Sequence, residues 1–156
     1  MKNKIRIIDI IEILEKNKSI EEKYKKIKNI KIEDWEKWCN QSEEKKQIYK
    51  NKEYEMIIIK WDTNKESGIH DHPEKGCILK ILEGEIEEEI YERKNEEIKY
   101  KRKNILNEEN DTGFMKGNEI IHSIKNKKKK AYTLNIYFTE EYKPKIYEIK
   151  KKKNII

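Results

Sequence analysis

The sequence holds only two prolines and five glycines, and no Pro-rich or Gly-rich stretch divides it. With 156 residues and no internal repeat, it is expected to form a single domain over 1–156 with one core. No run reaches the roughly 18 uncharged apolar residues that a membrane span requires. The basic N-terminus continues into an apolar run broken by Asp9 and Glu12, so a signal peptide is not expected. Two cysteines, Cys39 and Cys77, are too few for a disulfide scaffold and fit a reducing, cytoplasmic setting.

Charge is plentiful but one-sided charge is not. Asp, Glu, Lys and Arg make up 44% of the chain, yet the net charge is only +6, because Lys and Glu alternate almost everywhere. Lys127 to Lys130 and Lys150 to Lys153 are the two basic runs. No aromatic residue interleaves with either, so they read as a solvated hairpin tip and a frayed tail, and no nucleic-acid partner is expected.

The apolar period changes near residue 43. Before it, Ile5, Ile8, Ile11 and Leu14 fall at helical spacing, as do Ile20, Tyr24 and Ile27 behind the N-cap candidate Ser19. A third short helix is expected at Trp35 and Trp38. After it come short strands: Gln47–Tyr49, Tyr54–Trp61, Cys77–Leu82, Ile86–Tyr91, Ile98–Lys101, Gly113–Met115, Glu119–Ile124, Ala131–Phe138 and Lys145–Ile149. Glu83-Gly84 suggests a hairpin between Cys77–Leu82 and Ile86–Tyr91. The expectation is an all-β sandwich or barrel over 43–149, a helical N-terminal region over 1–42 packed outside it, and a basic tail over 150–156.

The chain has three histidines. In Ile69-His70-Asp71-His72, extended backbone points the two imidazoles to one side and Asp71 to the other. Such a pair is a start toward a divalent transition metal. His122, in Ile120-Ile121-His122-Ser123-Ile124, can deliver a third imidazole from a distant strand, although alone it reads as a satisfied core or surface residue.

The run from Trp61 through His70-Asp71-His72 to Cys77 and Gly84, with His122 and Asn126 further on, resembles the two motifs of the cupins. Cys77 stands where most cupins place a ligand Glu. With Tyr91 after the glycine, this is similar to cysteine dioxygenase over roughly residues 35 to 142. The resemblance implies a jelly-roll-like cupin β-barrel and one Fe2+ per chain on His70, His72 and His122. It implies L-cysteine and O2 as substrates and cysteine sulfinate as product. Three neutral imidazoles leave the metal its full charge and open positions, which helps an arriving thiol ionise beside O2. Ligand type alone fits zinc as well as iron; iron rests on the resemblance. The resemblance also implies a thioether between Cys77 and Tyr137, with Tyr137 and Cys77 as the catalytic pair.

Two positions depart from the family. On the strand of Tyr137, Thr133 takes a serine's place and Asn135 a histidine's; an amide can orient a phenol but cannot titrate near neutrality. The family's carboxylate-binding arginine falls at Lys46, with Lys45 one residue away, and a lysine lacks the two-pronged grip of a guanidinium. The chain is short after Tyr142, which suggests an open pocket mouth. Three functions follow: a cysteine dioxygenase, a dioxygenase of another small thiol (3-mercaptopropionate, cysteamine or an N-terminal cysteine), or a metal-binding cupin without turnover. A monomer is expected.

Overall fold

The computed structural model describes residues 2–117 and 120–149. The chain opens with β1 (Asn3–Ile5), α1 (Ile7–Lys16), α2 (Ile20–Ile27) and β2 (Ile30–Ile32), then a 3-10 turn at Trp35–Trp38. β1 and β2 pair in parallel. Ser19 caps α2 by accepting from the Glu22 amide at 3.1 Å. The face of α1 differs from the expected one. Ile5 belongs to β1, Ile8 is half exposed, and the buried residues are Ile7, Ile10 and Leu14. The apolar arc of α1 is broad, with Asp9, Glu12 and Lys16 on the opposite side, and packing buries its middle at Ile7, Ile10 and Leu14.

The body follows with β3 (Lys45–Lys50), β4 (Glu55–Trp61), β5 (Ile69–His70), β6 (Cys77–Glu83), β7 (Ile86–Lys94) and β8 (Glu97–Leu106). It continues with β9 (Thr112–Met115), β10 (Ile120–Lys125), β11 (Ala131–Tyr137) and β12 (Ile146–Tyr147). Two five-stranded antiparallel sheets result, in the orders β12-β5-β10-β7-β8 and β3-β4-β11-β6-β9. This is the all-β cupin barrel with a short helical N-terminal region that the motifs implied. The expected β6–β7 hairpin does not form: β6 pairs with β11 and β9, whereas β7 pairs with β10 and β8. Gly84, at φ +90°, turns the chain from one sheet to the other, and a Cβ there would sit 2.8 Å from that of Ala131. Of the strand expected at Glu119–Ile124, Glu119 lies outside the described residues, as does the tail 150–156.

Period-2 alternation sorts the central strands between two layers. Met56 and Ile58 of β4, Ile78 of β6, and Tyr132, Leu134 and Ile136 of β11 pack outward against Ile7, Ile10, Leu14, Ile20, Ile27 and Trp35. Ile59, Trp61, Leu79 and Ile81 pack inward against Ile86, Leu106 and Ile124 of the other sheet. β11 is buried along its whole length because both of its faces are covered. Lys80 also faces outward and is 1% exposed; its ammonium lies 3.1 Å from Asp111 and donates to the Ile27 carbonyl at 3.0 Å. It ties the end of α2 to the barrel. The basic run at 127–130 meets acid: Lys127 lies 3.2 Å from Glu87 and Lys128 lies 2.9 Å from Glu85. Among the described residues no helix is long and apolar enough to cross a membrane.

Candidate active site

β5 and β10 are neighbours, and His70 and His122 are register partners. Their ring centroids lie 4.5 Å apart, and the ring of His72 lies 6.1 Å from that of His122. Each Nδ1 meets an oxygen: the Gly68 carbonyl at 3.0 Å for His70, the Pro73 carbonyl at 3.0 Å for His72, and Glu88 Oε2 at 2.9 Å for His122. A ring nitrogen against a carbonyl or carboxylate must carry the proton, so Nε2 keeps its lone pair in all three. Burial lowers the pKa of His70 to about 4, and burial also lowers that of His72. Both rings are therefore neutral, as a metal ligand must be.

These residues fit a metal. His72 Nε2 is buried with no hydrogen-bond partner among the described residues. Such an atom costs about 1–3 kcal/mol left alone, a penalty that coordination removes. Among the described residues no three His, Cys, Asp or Glu side chains stand at the spacing of a formed metal cluster. The fit rests on the approach of the rings and their bare Nε2 atoms.

His70 and His122 line a cavity of about 150 Å³; His72 is not part of its wall. Cys77 and Tyr137 line it too, and they are register partners on β6 and β11. Gly76 lets Cys77 reach this place: at φ +110°, a Cβ there would collide with the Met115 carbonyl. Burial, with Glu88 nearby, pushes the Cys77 thiol up to about 12, and burial also raises the Tyr137 phenol. Both stay protonated at neutral pH.

Inward-facing Thr133, Asn135 and Tyr137 form a one-way relay. Trp61 Nε1 donates to Thr133 Oγ1 at 3.0 Å, Thr133 donates to Asn135 Oδ1 at 2.6 Å, and Asn135 Nδ2 donates to the Tyr137 hydroxyl at 3.2 Å. An indole nitrogen can only donate, so Thr133 Oγ1 accepts there and gives its proton to Asn135. The Tyr137 oxygen accepts from Asn135, and its own proton is free for a ligand.

The sequence profile described as Cysteine dioxygenase type I matches residues 5–150. The chain belongs to this family. It is 29% identical to "Cysteine dioxygenase type 1" of Bos taurus over 79 residues, which cover 49% of this chain and 39% of that protein. The chain thus matches well under half the length of that cysteine dioxygenase. Among solved structures it is similar to TT1209 from Thermus thermophilus, at a TM-score of 0.54 and 14% identity, covering 70% of this chain and 98% of that one. It is also similar to BH2720 from Bacillus halodurans, at a TM-score of 0.55 and 11% identity, covering 64% and 73%. These two likenesses bear on the fold alone.

Measured against the cysteine dioxygenase pattern, the lysine at the cavity is not the expected one. Lys46 pairs opposite Ile58, whose side chain faces the helices; it is half exposed and lies 4.0 Å from Glu43. Lys45 pairs opposite Ile59 and reaches the cavity wall, where its charge acts on His70. A one-residue shift in register exchanges the two faces of a strand. Sequence reasoning passes over three residues at the site. Ser67 lies at the wall, 3.3 Å from His70 Nδ1. Glu88 holds His122. Tyr142 stacks on Tyr137 with centroids 4.1 Å apart and lines the same cavity. Alternation from Ile86 to Ile90 puts Glu88 on the buried face and could have flagged it; Tyr142 sits in irregular chain, which carries no period.

Proposed function

We propose that this chain is a thiol dioxygenase that adds both atoms of O2 to the sulfur of L-cysteine and yields cysteine sulfinate. The observation carrying the proposal is that His70 and His122 open onto the same small cavity as Cys77 and Tyr137, with the ring of His72 6.1 Å from that of His122. His70, His72 and His122 would hold one Fe2+, which when bound supplies a Lewis-acidic, redox-active centre where a thiol loses its proton beside O2.

The chain's own residues do the positioning. Lys45 offers a cation at the rim for a substrate carboxylate. Tyr137, held as an acceptor by Asn135, turns its hydroxyl proton toward the ligand. Ile59, Leu79 and Ile124 keep the cavity wall apolar and limit water. The cavity is about half the size at which drug-sized pockets begin, roughly 300 Å³, so it suits a small free thiol.

One observation favours a second substrate. Among the described residues the cavity wall carries Lys45 and no carboxylate to receive an ammonium. That suits 3-mercaptopropionate as well as cysteine and disfavours cysteamine. The deciding experiment is metal analysis coupled to product identification. Iron-loaded protein should consume O2 with L-cysteine and form the sulfinate. Stoichiometric iron with no uptake on any small thiol would leave a metal-binding cupin instead. A His122→Ala variant that still retains iron stoichiometrically would remove that residue from the ligand set.

A further inference from the structure

The chain beyond β11 is irregular up to Lys145, yet Asp71 ties it down at several points. The Tyr142 hydroxyl donates to the Asp71 carbonyl at 2.6 Å. The Lys145 amide donates to the Asp71 carboxylate at 2.8 Å, and the Asp71 amide donates to the Lys145 carbonyl at 3.2 Å. β12 then pairs with β5, setting Ile146 opposite His70. Asp71 points away from the cavity, as alternation requires, and there it latches a C-terminal strap.

The strap lays Tyr142 on the cavity. Its ring lies nearly flat on Tyr137, at 4.1 Å and 17° between planes, and both rings line the cavity with Cys77. A phenol stacked on one side and pinned through its hydroxyl to a main-chain carbonyl cannot swing aside without losing both contacts. The carbonyl that pins it belongs to the residue between His70 and His72, so the wall is set relative to the imidazoles.

We propose that Tyr142 is a specificity-determining residue that caps the size of the thiol the cavity accepts. The proposal rests on the thiol dioxygenase function above and deepens it. With the ring in place a cavity of about 150 Å³ suits a free amino thiol, and a dipeptide needs the space that the ring fills.

The test compares full-length iron-loaded protein with Tyr142→Ala, and with Tyr142→Phe, which keeps the ring and loses the tie to Asp71. The first readout is kcat/KM for L-cysteine and for cysteinylglycine. The second, independent of turnover, is the rate at which methyl methanethiosulfonate modifies Cys77 in protein kept free of O2, with Cys39 as internal reference. Tyr142→Ala should raise the dipeptide-to-cysteine ratio of kcat/KM by about tenfold or more and speed Cys77 modification severalfold. Tyr142→Phe should fall between. A cooperatively melting Tyr142→Ala with both readouts unchanged overturns the proposal. Faster Cys77 modification with no thiol oxidised by any of the proteins overturns the dioxygenase function and upholds the wall. Should Tyr142→Ala fail to fold, Tyr142→Phe decides on the same readouts.

Discussion

His122 Nδ1 donates to Glu88 Oε2 at 2.9 Å, and both side chains are almost wholly buried. Burial alone would raise the Glu88 carboxyl, but hydrogen bonds from His122 and Asn104 outweigh it and hold the pKa below the ordinary range. Glu88 is therefore an anion behind a metal-ligand candidate. Such a partner fixes the tautomer and makes Nε2 the stronger donor.

Glu88→Gln keeps the shape and removes the charge. It should weaken Fe2+ binding by about 10- to 100-fold, read by competition with a colorimetric chelator. Unchanged affinity would show that Glu88 serves the fold and not the metal.

Lys80 and Asp111 make a buried ion pair remote from the cavity. Burial would raise the Asp111 carboxyl, yet hydrogen bonds from Lys2 and Thr112 and the Lys80 charge hold it below the ordinary range. A depressed folded pKa means stability that is present above the unfolded value, about 3.9, and lost as pH falls through the folded one. Stability should drop on acidification below about pH 4, and Asp111→Asn should lack that share of the drop. Lys80→Met should cost about 3–5 kcal/mol in urea melts, since it strips a partner from a buried carboxylate. A change below about 1 kcal/mol would mean that Lys2 alone satisfies Asp111.

These two pairs also show what could be read from residue order. His70 and His72 stood out because alternation in extended chain needs no tertiary information, yet of the two only His70 lies on the cavity wall. The strands were legible for the same reason, except that β6 and β7 part into different sheets, which no local signal reveals. Glu88 hid within Glu87-Glu88-Glu89 and Lys80 within a lysine-rich chain. In such a composition a buried charge looks like a solvated one until the opposite sheet is in place. Lys45 and Lys46 differed only by register, and Tyr142 only by where an irregular strap happens to lie.

Asn135 sits in the relay where an ionisable ring is the family's usual choice. The present relay carries no group that titrates near neutrality, so the rate should show no limb from this position between about pH 6 and 7. Asn135→His should introduce one, visible in kcat against pH for L-cysteine. Identical profiles for the two proteins would mean that the phenol does not feel its neighbour.

Cys77 and Tyr137 face each other across β6 and β11, within reach of an oxidative thioether. The bond joins sulfur to a ring carbon; an S–H and a ring C–H bond break, and two protons and two electrons pass to O2, giving hydrogen peroxide. Protein matured with iron and air should contain a fraction lighter by two hydrogens, with the two peptides joined in a digest. Protein matured without O2 should not. Both residues recovered free under every condition would rule the bond out.

Lys45 and Lys46 give the sharpest test of the substrate's orientation, because they are adjacent, chemically alike and on opposite faces of β3. If the substrate carboxylate meets Lys45, Lys45→Met removes an ion pair made in both ground and transition states. KM for L-cysteine should then rise with kcat nearly unchanged. An exposed rim pair is worth about 0–1 kcal/mol, so the rise should be a few-fold, shrinking further with added salt. Lys46→Met removes the same charge from the chain without touching the cavity and should leave KM as it was. Equal effects from both variants would assign the role to the overall positive field. A larger effect at Lys46 would mean that β3 meets the substrate with its other face, and that the register read from β4 does not hold in the working enzyme.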